Sequence, residues 1–217
     1  MNAFVKKQAI RWYRIINRLP FNNKRKGNIQ IENNGAILWH CKIKSFGTGN
    51  HCVLRGGGGV YLNCEFVFLG SNNTIELGEG CVGKNASFYT EDNNNAIIIA
   101  DNTHFEGKIH IAVTESTKCM VGMDCLFSSE IVIRTGDSHS ILNETGTRIN
   151  PAKDVVIGNH VWVGHRALIT KGVSIPENCV VGTGAVLTKP IDKSGTVIAG
   201  VPAKIVKENI NWCGKRL

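Results

Sequence analysis

The 217-residue sequence has no apolar stretch long enough to cross a bilayer. Its longest wholly apolar run is five residues, 96–100, where a spanning helix needs about 20. No continuous apolar region precedes a small-residue cleavage site near the N-terminus, which argues against a signal peptide. The eight cysteines form no CxxC pair and share no spacing, so neither a zinc site nor a disulfide framework is expected. Unpaired cysteines fit a reducing, cytoplasmic setting. Acid is missing from residues 1–31, which hold Lys6, Lys7, Arg11, Arg14, Arg18, Lys24, Arg25 and Lys26. With those eight set aside, 17 basic residues face 17 acidic ones, so the net charge of +8 belongs to the N-terminal arm. No nucleic-acid-binding motif accompanies that charge, and no nucleic-acid partner is expected.

What the chain does have is a repeat. From Ile157 it reads in sixes: IGNHVW, VGHRAL, ITKGVS, IPENCV, VGTGAV, LTKPI. Ile157, Val163, Ile169, Ile175, Val181 and Leu187 open the blocks. Val161, Ala167, Val173, Cys179, Ala185 and Ile191 follow four residues later. Neither a helical nor a strand period explains this, whereas a fixed six-residue period belongs to β-solenoids. Each six is one side of a triangular coil, so three sixes predict a rung of about 18 residues. The aliphatic openers point inward and stack on those of the next rung. Cys125 and Cys179 fall on small inward positions and read as core filler.

The fold expected is therefore an all-β solenoid, a parallel β-helix over 28–206, with arms at 1–27 and 207–217. Residues 3–19 place Phe4, Val5, Ala9, Trp12, Ile15, Ile16 and Leu19 on one helical face, ending before Pro20. That basic amphipathic helix reads as a cap on the solenoid and, compatibly with that, residues 1–26 as a surface for an anionic polymer or the inner face of a membrane. Short β-like pieces from Asn28 to about Gly70 read as less regular rungs, and Gly56–Gly59 as a tight corner. The sixes are readable at Leu77 and from Ile99 onward, with one step of ten between Ile111 and Val121 that implies a bulge. After His139 the pattern stops until about Val155, which predicts a protruding loop near 140–154; loops of that length inside a repeat are functional or disordered. The partial turn VIAGVPAKIVK and an arm folded back over the last rung close the chain.

For chemistry, His160 and His165 are five apart with no third ligand in the spacing, so no metal is expected. Ser138 and Ser140 adjoin His139 too directly for a nucleophile–base pair. His139 sits where the repeat gives way to the loop and can reach out of the coil. Trp162 lies 23 residues later, is expected near the same edge, and must face outward.

Four stretches carry a resemblance: TGDSHSI, RINPAKDVVIGNHVWVGHRALITKGVSI, VVGTGAVLTK and AGVPAKIVKENINW. In this order, across 121–212, the chain resembles the left-handed β-helix O-acetyltransferases of the hexapeptide-repeat superfamily, the group acting on sialic acid capsules and other surface polysaccharides above all. The resemblance implies a homotrimer, acetyl-CoA held between neighbouring solenoids, His139 as catalytic base and Trp162 as active-site tryptophan. It also implies a direct attack, in which the imidazole takes a proton from a sugar hydroxyl while that hydroxyl attacks the thioester. Gly164, Ala185 and Gly200 are the small residues expected against acetyl-CoA, and Lys189 and Lys204 match the family's phosphate-facing lysines. Arg148 and Lys153 in the loop are candidates for an anionic saccharide acceptor, and Asp137 for orienting His139. Val201 stands where the family often has Asn. A small free sugar or amino-sugar is the alternative acceptor. A carbonic-anhydrase-type solenoid or a non-catalytic scaffold are the alternatives in other classes.

Overall fold

The computed structural model describes residue 15 and residues 24–215. Apart from Ile15, the basic helix expected over 3–19 lies outside the described residues. From Lys24 the chain winds into coils of three short strands, and the strands stack into three sheets of 8, 7 and 9 members. Each strand pairs in parallel with its counterpart one coil later. Phe66 thus pairs with Phe88 in the first sheet, Ile75 with Ile97 in the second and Tyr61 with Gly83 in the third.

Coil length is where the sixes were misleading. Toward the C-terminus Ile157 pairs with Ile175, Val163 with Val181 and Ile169 with Leu187, the expected 18 residues on. In the preceding coils Phe66 meets Phe88 and Phe88 meets Ile111, 22 and 23 residues on. The bulge expected only between Ile111 and Val121 recurs at one corner, where the first sheet hands over to the second: residues 46–50, 69–73, 91–95 and 114–117. A buried ladder holds these corners. The Asn50 carboxamide oxygen accepts from the Asn73 N–H at 2.9 Å, Asn73 from Asn95 at 2.8 Å, and Asn95 from Thr117 at 3.1 Å. Polar groups buried in pairs cost little, whereas each one alone would be expensive.

The wide coils need large fillers and have them. Phe66 stacks on Phe88 at 5.3 Å and Phe105 on Phe127 at 4.9 Å, with Phe88 edge-on to Phe105 at 5.6 Å. In the 18-residue coils Val163, Ile169, Val181 and Leu187 suffice. Cys125 and Cys179 lie inside as fillers, and seven of the eight cysteines are buried without forming a disulfide among the described residues. Gly56, Gly57 and Gly58 take φ of +84°, +60° and +98° at a corner, where a Cβ on Gly56 would sit 2.2 Å from the Asn34 carbonyl.

Two boundaries shift. Among the described residues the coils reach back to Lys24–Lys26, which pairs with Lys42–Ser45, beyond the residue 28 expected. The pattern could not reveal an edge strand exposed on both faces, and its lysines and arginine protect that edge from further pairing. At the other end only Val197–Gly200 continues the coil; Ala203–Lys207 doubles back antiparallel onto it. The expected loop lies at 135–154, between Ile131–Arg134 and Val155–Ile157. It is the recurring corner enlarged.

Candidate active site

The loop is tied at its neck by Asn150, which is 7% exposed. Its amide donates to the Asp137 carboxylate and to the His139 carbonyl, both at 2.8 Å. Its oxygen accepts from the Ile141 N–H at 2.7 Å and from Arg148 at 3.3 Å. The Lys171 ammonium joins Asp137 and reaches the Asn150 carbonyl at 3.0 Å. Arg148 pairs with Glu115 at 2.5 Å, and Glu115 also accepts from the Ala152 N–H at 3.1 Å. Lys171, then Asn150, holds the Asp137 carboxyl below its ordinary value. Arg148, then the Ala152 amide, does the same for Glu115. The side chain of His139 stands exposed on this frame.

Three expectations change here. Asp137 does not orient the His139 imidazole; its carboxylate is taken by Lys171 and Asn150. Arg148 is a strut of the neck, paired with Glu115 and Asn150, rather than a group free for an acceptor. Trp162 is not near the same edge as His139. The loop uses up residues 135–154, so the next coil sets Trp162–Val163 onto the third sheet, with Trp162 against Leu126. In a three-sided coil that sheet faces away from the corner bearing His139.

The candidates therefore fall into two groups. At the corner between the first and second sheets are His139, Lys153 and, two coils on, Lys189. Lys153 runs over Gly172, whose Cβ would meet its chain at 3.1 Å. Around the third sheet are Trp162, 40% exposed and outward, and Gly200 and Lys204, exposed on the terminal hairpin. Gly164 and Ala185 have other duties. Gly164 donates its N–H to Val181 at 2.8 Å, and a Cβ there would lie 2.7 Å from that carbonyl. Ala185 fills the interior, with its N–H on Gly182 and its carbonyl on Leu168. Among the described residues no three His, Cys, Asp or Glu side chains are grouped to hold a metal ion.

Sequence reasoning missed Asn150, Lys171 and Trp212. Lys171 was within reach, because the 18-residue period aligns ITKG with LTKP and so Lys171 with Lys189. Trp212 follows the repeat and has no partner in it. The C-terminal arm brings it back to the third sheet, 6.0 Å from Trp162 between ring centroids.

Residues 154–189 match the family model described as the hexapeptide repeat of succinyl-transferase. A polysialic acid O-acetyltransferase of Neisseria meningitidis is 38% identical over 169 residues, 68% of this chain and 79% of that one. One from Escherichia coli O1:K1 / APEC is 36% identical over 101 residues, 46% of this chain and 33% of the relative. The crystal structure of a polysialic acid O-acetyltransferase superposes with a TM-score of 0.61 at 31% identity, over 90% of this chain and 92% of that one. The parallel coils, the interrupting loop and these likenesses agree: the chain belongs to the hexapeptide-repeat O-acetyltransferases, the family that includes the polysialic acid O-acetyltransferases.

Proposed function

We propose that the protein transfers acetyl from acetyl-CoA to a hydroxyl of a surface saccharide, with His139 as general base, in a site completed between copies of the chain. One observation carries this reading most. His139 is an exposed imidazole on a loop whose neck is tied by Asn150, Asp137 and Lys171, with the His139 carbonyl itself held by Asn150. An imidazole nitrogen of neutral His139 accepts the hydroxyl proton as the oxygen bonds to the thioester carbonyl carbon. The tetrahedral adduct then breaks its carbon–sulfur bond, and the imidazolium returns the proton to the departing thiolate. No covalent enzyme intermediate is needed. The indole N–H of Trp162 is a donor suited to the adduct's oxyanion.

The separation of the two candidate groups supports a cyclic homo-oligomer, taken here as a trimer, in which the His139 corner of one copy faces the third sheet of the next. Exposed Lys189 and Lys204 suit the phosphates of CoA, and Lys153 an acceptor carboxylate. The basic residues in 1–26 suit an anionic polymer or the cytoplasmic membrane face, and a cytoplasmic setting is part of this reading. The polysialic acid O-acetyltransferases among its relatives favour a sialylated polymer as acceptor.

The test is release of CoA thiol from acetyl-CoA against polysialic acid, neutral polysaccharides, free sialic acid and simple glycosides. Turnover on the sialylated polymer, reduced by a factor on the order of 10² to 10⁴ in His139→Ala, is expected. Near-normal turnover of that variant would remove His139 from the chemistry. Preference for a monosaccharide would replace the acceptor.

A further inference from the structure

We propose that Trp212, on the C-terminal arm, is a positioning residue that fixes the indole of Trp162. The inference rests on the reading above, in which Trp162 belongs to the site. After Lys207 the arm does not continue the coil. Glu208 pairs with Lys193 at 2.5 Å, and the Ile210 N–H donates to the Gly195 carbonyl at 2.9 Å. From there the arm runs back across the coils to His160. The Trp212 indole N–H donates to the His160 carbonyl at 2.8 Å, and its ring lies 4.3 Å from the His160 imidazole and 6.0 Å from Trp162. Asn178 holds the imidazole in turn, at 3.1 Å.

A second observation points the same way. At the corner between the second and third sheets, from Gly80 onward one position per coil takes a positive φ: Gly80 (67°), Asn102 (55°), Asp124 (57°), His160 (54°), Asn178 (59°) and Gly195 (64°). Gly, Asn, Asp and, less often, His adopt this conformation. His160 is the one histidine of this row, and it is the residue whose ring meets Trp212. A turn alone needs only asparagine there; the imidazole adds a flat surface for the indole.

Without the arm, Trp162 would stand outward between Leu126 and Val180, in a row of aliphatic side chains that does little to choose its rotamer. Trp212 supplies an aromatic partner at a tilt of 44°, inside the range where ring pairs attract. The same arm starts from the hairpin strand bearing Lys204, so the segment that carries a candidate CoA contact also sets Trp162.

The experiment is a double-mutant cycle of kcat and KM on the acceptor found above, using Trp162→Ala, Trp212→Ala, Trp212→Phe and the double alanine variant, with near-ultraviolet circular dichroism and thermal unfolding alongside. Trp212→Ala should lower kcat/KM about 10- to 100-fold, the scale of a misplaced group. The double variant should be no worse than Trp162→Ala, and the dichroism of the Trp pair should vanish in either single variant. Trp212→Phe, which keeps a ring, should recover most of the loss and serves if the alanine variant does not fold. Losses that multiply in the double variant, or normal turnover in Trp212→Ala, would overturn the proposal. Full activity in Trp162→Ala would overturn the site reading itself, and this proposal with it.

Discussion

Asn150 uses the whole capacity of its carboxamide, two donors and two acceptor positions, on four groups of the loop neck. Asn150→Asp keeps the shape but turns the donors toward Asp137 and the His139 carbonyl into acceptors. The expected result is a kcat/KM lowered about 10- to 100-fold, because His139 loses its fixed place. Assays of this variant beside Asn150→Ala check it; wild-type turnover in both would make the tie dispensable. The neck also has an acid limit. Asp137 and Glu115 sit below their ordinary values of 3.8 and 4.5, so their contribution is present above those values and is lost as pH falls through the lower folded ones. As the pH is lowered below those ordinary values, pepsin should therefore cut within 140–149 before it attacks the coils, and in Asp137→Asn cutting there should begin at a higher pH. Uniform digestion would count against the sign of this effect. His139 was legible in the sequence because it stands where the period fails. Asn150 was not, since nothing periodic marks a residue that binds neighbours within its own loop.

The corner ladder and the ring stack carry the wide coils. Asn73 gives its oxygen to the Asn95 N–H, while its own amide nitrogen has no partner among the described residues. Asn73→Ala should thus cost what one orphaned buried N–H costs, about 1–3 kcal/mol. Phe88 touches Phe66 on one side and Phe105 on the other, and Phe88→Ala should cost about 3–5 kcal/mol. Chemical denaturation of both variants checks the ranking; a larger loss at Asn73 would make the ladder, not the rings, the stronger element. The sixes from Ile157 to Ile191 announced the 18-residue coils directly, since every corner there is short. In the earlier coils a buried asparagine closes one corner, and a pattern built on apolar spacing reads that polar residue as an interruption. The hairpin at Ala203–Lys207 escaped for another reason: reversal of strand direction leaves no mark on spacing.

At the scale of the molecule, the His139 corner and the third sheet lie on opposite sides of one coil, so the site proposed above, with both His139 and Trp162 in it, would join two copies. Chains carrying His139→Ala and chains carrying Trp162→Ala should each be nearly inactive alone. Co-expressed in equal amounts, they should regain about a quarter of the wild-type sites, the chance that a sound corner meets a sound sheet around a closed ring. Purified mixed assemblies assayed for thiol release would check this. No recovery would place both residues in a site within one chain. Nothing in the sequence could divide the candidates this way, because the division depends on how many residues the loop consumes.

The variable corner has a use beyond this chemistry. Between the first and second sheets the connection runs from four residues at 170–173 to twenty at 135–154, and the coils on either side still stack in register. The fold has one corner line along which length varies widely and two along which it varies by only a few residues. Foreign peptides spliced in beside Asn94 should leave the stack intact, whereas the same insert beside His160 should not. Arrays of displayed epitopes, spaced by whole coils, could be built on that line.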